Sequence, residues 1–152
     1  MRQYGRENTF GPFAYTTRRF LERLDLPESL MYGVMIDAKT FLELDKSPKS
    51  VIRELFSRSE GEKFQLVRVA AHFQELDYCQ EAIEELGRLG FIVGLNLMQA
   101  SLRSKGELVK KSKMIAETLP VEVLYFADSL GNMQPCDAVS YTHLTLPTIY
   151  SV

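Results

Sequence analysis

Cysteine is scarce: Cys79 and Cys136 are the only two in 152 residues, and they stand far apart. Such a pair supports neither a disulfide framework nor a metal-type spacing, so free thiols and a cytoplasmic location are expected. Charge of one sign is also lacking. The net charge is −2 with both signs interspersed, which leaves no electrostatic footprint for nucleic acid or an anionic membrane. No apolar run approaches the roughly 18 residues that a membrane span needs. The segment Met1 to Phe10 is polar and carries Arg2, Arg6 and Glu7, unlike a secretory leader. What is present is an ordinary globular composition, 45% hydrophobic and 25% charged, on a chain long enough for one domain with a core.

From about residue 30, short apolar runs alternate with amphipathic stretches at intervals of about 30 residues, the size of a βα repeat. The runs are Met31–Ile36, Leu66–Ala71, Phe91–Met98 and Val121–Ala127. Being short, nearly continuous in hydrophobicity and partly β-branched, they read as strands buried on both faces.

The intervening stretches read as helices. Ser47 before Pro48 is a good N-cap, and Val51, Ile52, Leu55 and Phe56 then share a face. Leu76, Cys79, Ile83, Leu86 and Leu89 recur at helical spacing with Glu81, Glu84, Glu85 and Arg88 outside, and Gly90 offers a C-cap. Ser104 to Glu107 forms a capping box ahead of Leu108, Ser112, Ile115 and Leu119, with Lys110, Lys111 and Lys113 on the solvated side. A weaker helix is expected from Thr17 through Leu24.

Alternation with such short links predicts an α/β protein with a parallel sheet, open or closed into a barrel. Asp37, His72, Asn96, Gln99 and Asp128 fall at or near the carboxyl ends of the predicted strands, where both architectures place ligands. Each also has a plainer reading, as a cap of the turn or helix that follows. Four βα units are about half of a barrel of about 250 residues, so a piece of a larger domain is expected. Ala138 to Val152 carries no charge other than a histidinium at His143, a break in composition where the alternation predicts another helix.

The stretch Leu124-Tyr125-Phe126-Ala127-Asp128-Ser129-Leu130-Gly131-Asn132-Met133 resembles the sixth-strand motif of the metal-dependent pyruvate aldolase and lyase barrels. That family includes 4-hydroxy-2-oxovalerate aldolase, hydroxymethylglutaryl-CoA lyase and isopropylmalate synthase. Val67-Arg68-Val69-Ala70-Ala71-His72-Phe73 and Gly94-Leu95-Asn96-Leu97-Met98-Gln99 agree in order and spacing. Phe10 to Thr17 resembles the loop after the second strand, and the resemblance runs from about Phe10 to Asp137. It implies a partial (β/α)8 TIM barrel, about strands three to six with their helices. Residues 1–137 would be family sequence and 138–152 a non-family tail. Val139 to Thr148 is similar to translated sequencing adapter, with an edge strand as the alternative.

The resemblance further implies that Ser129 contacts the carboxylate or carbonyl of a 2-oxo acid, a task that suits a neutral hydroxyl donor. Asp128 would orient the turn rather than act as a base. Asn96, Gln99 and His72 would line the same mouth, His72 being equally readable as a core histidine. Gly131 would serve a positive φ or a close approach to substrate. In the complete family enzyme a divalent metal, Mn or Mg, stabilises an enolate while a carbon–carbon bond breaks or forms. Its ligands lie in an Arg-Asp motif and a His-x-His pair that this chain does not contain, and His143 has no partner histidine two residues on. No metal and no turnover are therefore expected of this chain.

The leading expectation is thus a fragment of a carbon–carbon lyase or aldolase. The alternatives are a non-catalytic α/β module that binds a ligand or partner, and a half-barrel that self-associates through exposed strand edges.

Overall fold

A computed structural model describes residues 3–4, 15–42, 46–56 and 63–142. Its elements are β1 (Gln3–Tyr4), β2 (Tyr15–Thr16), α1 (Arg18–Glu22), β3 (Gly33–Asp37), α2 (Lys39–Leu42), α3 (Pro48–Leu55), β4 (Leu66–Ala71), α4 (Leu76–Arg88), β5 (Ile92–Met98), α5 (Lys105–Thr118), β6 (Val123–Ala127) and α6 (Pro135–Thr142). Strands β3-β4-β5-β6 form one sheet in sequence order, and every adjacent pair is parallel. β1 pairs in parallel with β2 and runs beside β3. An α/β fold with a four-stranded parallel sheet and interleaved helices is compatible with part of a βα barrel.

The helices start where their side chains can hold the free N–H groups of a first turn. The Thr17 Oγ1 accepts from the Phe20 N–H at 3.2 Å, and the Ser47 Oγ accepts from the Ser50 N–H at 3.3 Å ahead of Pro48. At Ser104 the predicted capping box is complete. Its Oγ accepts from the Glu107 N–H at 3.3 Å, and the Glu107 carboxylate accepts from the Ser104 N–H at 2.9 Å. α4 ends at Arg88, and the expected glycine just beyond it, Gly90, is left-handed with φ 79.

Side-chain alternation divides the sheet into two faces. Ile36, Val67, Val69, Ala71, Val93, Leu95 and Leu97 all face the helices. They pack there with Phe41 of α2, Val51 and Ile52 of α3, Leu76, Cys79, Ile83 and Leu86 of α4, and Ile115 of α5. At the amino ends of β4 and β5, Phe64 and Phe91 stack at 5.8 Å, and both meet Phe56 edge-on at 6.2 and 5.8 Å. Burial of one such side chain contributes about 1.5–3 kcal/mol, so this cluster anchors the amino-terminal end of the sheet.

Three expectations are corrected. β6 is not buried on both faces, since all five of its residues keep partial exposure. Glu85, expected outside α4, is 2% exposed. Its carboxylate receives Arg53 of α3 at 2.7 Å and Arg88 of its own helix, with Lys49 at 3.9 Å. The cations of two helices thus hold a carboxylate that periodicity alone assigns to solvent. Residues 138–142 belong to α6, which runs without interruption across the composition break. Tyr141 lies 6.2 Å from the Phe126 ring, so this part of the tail is helical and touches the fourth strand of the sheet. His143 to Val152, and residues 10–14 of the expected loop motif, lie outside the described residues.

Candidate functional site at the carboxyl ends of the strands

Because the four strands are parallel and in register, their carboxyl ends share one edge of the sheet. The pairing runs Asp37–Ala70–Asn96–Tyr125, then Ala71–Leu97–Phe126, then Met98–Ala127. Asp37 closes β3, His72 follows β4, Gln99 follows β5, and Asp128 and Ser129 follow β6.

Two of the five expected site residues meet directly. The Gln99 N–H donates to the Ser129 Oγ at 3.4 Å, linking the turns after β5 and β6. Gln99 is left-handed, φ 56 and ψ 38, and among the described residues it is the one non-glycine with positive φ. Such a conformation costs an L-residue about 1–2 kcal/mol and concentrates at functional turns. Ser129 is exposed. With its oxygen accepting from Gln99, its own hydrogen remains available to a ligand oxygen.

Asp128 is engaged within its own turn. Its Oδ2 accepts from the Met133 N–H at 2.8 Å and its Oδ1 from the Asn132 N–H at 3.0 Å. The Met133 N–H above all, with that of Asn132, holds the carboxyl below its ordinary range. Gly131 in this turn has φ 68 with open space around it, so positive φ accounts for the glycine. The Asp37 Oδ1 caps the Lys39 N–H at 2.9 Å. His72 opens the short turn Phe73–Glu75, its N–H donating to the Glu75 carboxylate at 2.8 Å. The His72 Nδ1 is buried without a hydrogen-bond partner.

Asn96 lies deeper, on the sheet face opposite the core, and is 5% exposed. The same face carries Arg68 and Tyr125, which sequence reasoning passed over. The Arg68 guanidinium stands 5.4 Å from the Tyr125 ring centroid. A signal for it existed, since an arginine inside an apolar strand alternates with Val67 and Val69 and must face away from the core.

A divalent metal does not fit the residues described. Among them no three His, Cys, Asp or Glu side chains gather into a group that could hold an ion, and the Asp128 carboxylate already accepts a backbone N–H at each oxygen. Among the described residues no helix is long and apolar enough to cross a membrane. Comparison of the chain with protein-family models, curated proteins and solved structures finds no match.

Proposed function

We propose that the chain forms part of a (β/α)8 barrel of a carbon–carbon lyase or aldolase acting on a 2-oxo or 3-hydroxy acid, and contributes substrate-binding groups rather than a complete catalytic centre. The motif from Leu124 to Met133 suggests the family. Sequential parallel strands with helices packed on one face support the barrel. The observation that carries the reading is the Gln99–Ser129 contact at 3.4 Å. It sets an exposed hydroxyl, its oxygen already accepting, at the mouth where barrel enzymes bind substrate. From there the Ser129 O–H can donate to a carboxylate or carbonyl oxygen of a 2-oxo acid. The described residues supply no ligand set for the family's metal, so no step is assigned to it.

A second reading is a binding module without catalysis. It is favoured by the described residues gathering no group of His, Cys, Asp or Glu side chains that could hold the family's metal.

The test is to join this segment to the flanking coding sequence of its gene and assay release of a 2-oxo acid from a 4-hydroxy-2-oxo acid. Release at a rate proportional to enzyme supports the lyase. A folded protein that binds the 2-oxo acid but releases none from any such substrate supports the binding module.

A further inference from the structure

The short 3₁₀ turn Ala100–Leu102, between β5 and α5, is tied at each end to the turn of a different neighbouring strand. At its start, left-handed Gln99 donates its N–H to the Ser129 Oγ, after β6. At its far end, the Arg103 guanidinium lies over the Phe73 ring, 5.3 Å from the centroid, and its Nη2 donates to the Gln74 Oε1 at 3.4 Å. Phe73 and Gln74 belong to the turn that follows β4. Arg103 thus reaches toward β4 while Gln99 reaches toward β6.

The backbone couples the two ends. The Leu102 N–H donates to the Gln99 carbonyl at 3.1 Å, and the Arg103 N–H to that of Ala100 at 3.0 Å. Such a tight turn leaves little slack between Gln99 and Arg103. A non-glycine residue keeps a left-handed backbone only where its surroundings over-determine it. Two contacts do so here. Ala100 is fully buried, which fixes the middle of the turn, and Arg103 fixes its far end on Phe73. The plainer alternative is an arginine laid on a ring merely to cover it, which would leave Gln99 indifferent to its loss.

We propose that Arg103 is a positioning residue for the Ser129 hydroxyl. Stacked on Phe73, it holds the end of the turn and so keeps Gln99 left-handed, with its N–H on the Ser129 Oγ. The positioning stands on these contacts alone; its bearing on a 2-oxo acid rests on the proposed function.

Hydrogen exchange at the Gln99 amide in the full chain reads this hydrogen bond directly. Arg103→Met and Phe73→Leu should each lower protection at residue 99 about 2- to 5-fold, the worth of an exposed cation–π contact, with the amides of Leu95 and Leu97 unchanged. Glycine adopts the left-handed conformation without help, so in a Gln99→Gly background Arg103→Met should lower that protection much less. An equal loss in both backgrounds, or an equal loss at Leu95 and Leu97, would make Arg103 a general stabiliser and overturn the proposal. So would a Gln99 amide unprotected in the parent, or undiminished protection in Arg103→Met. In the segment joined to its flanking coding sequence, Arg103→Met should lower kcat/KM by a similar 2- to 5-fold. Lost protection with an unchanged kcat/KM supports the positioning while removing support from Ser129 as the substrate contact.

Discussion

The Gln99 N–H reaches the Ser129 Oγ at 3.4 Å, and Gln99 itself adopts a left-handed backbone at this junction of two turns. Gln99→Gly keeps that conformation without the steric cost and should raise stability by about 1 kcal/mol, whereas β-branched Gln99→Val should lower it by about 1–2 kcal/mol. Denaturant midpoints of the two variants check this. Equal midpoints would mean that the turn relaxes freely.

Acid should weaken the clamp between α3 and α4. Hydrogen bonds from Arg88 and then Arg53 lower the Glu85 carboxyl from its ordinary 4.5 to about 2. A carboxyl lowered on folding stabilises the folded state fully above its unfolded value, and that contribution is lost as pH falls through the folded value. Glu85→Gln should therefore be less stable than the parent at pH 7. The gap should start to close below about pH 4.5 and vanish near pH 2. Melting curves from pH 7 to pH 2 measure it, and a gap independent of pH would show that the ion pairs contribute nothing as charges.

The two thiols should differ in reactivity. Cys79 is buried, and burial foremost pushes its thiol up to about 12, with the charges of Glu75 and Asp37 adding to the shift. Cys136 is exposed. A thiol reagent at pH 8 should label Cys136 in the folded protein and both cysteines in denaturant. Rapid labelling of Cys79 in the folded state would contradict the packing of α4 on the sheet.

Much of this architecture was legible because burial imposes a period on the sequence. Leu76, Cys79, Ile83 and Leu86 recur at helical spacing and are all fully buried, and Ser47 and Ser104 cap where their sequence context says they should. Glu85 was misassigned because its neighbours in space, Arg53 and Lys49, sit on another helix. Arg68 was hidden because a run such as Leu66–Ala71 reads as uniformly apolar until the sheet's two faces are distinguished. The left-handed turn at Gln99 has no local signal, since glutamine is not a residue that favours it. Past Asp137 the change in composition concealed a helix, which Pro135 opens and Tyr141 anchors against Phe126. Of the five expected site residues, Gln99 and Ser129 meet. Asp128 is turned to its own backbone, His72 caps a turn, and Asn96 belongs to the face below.

The central claim is that Ser129 binds the 2-oxo acid. The most direct measurement is steady-state kinetics with a melting curve on Ser129→Ala, made in the segment joined to its flanking coding sequence. A hydrogen bond to a charged ligand is worth about 1.5–3 kcal/mol, so kcat/KM should fall about 10- to 150-fold while the melting temperature stays nearly unchanged. An unchanged kcat/KM with a lowered melting temperature would make Ser129 a turn residue and remove it from the site.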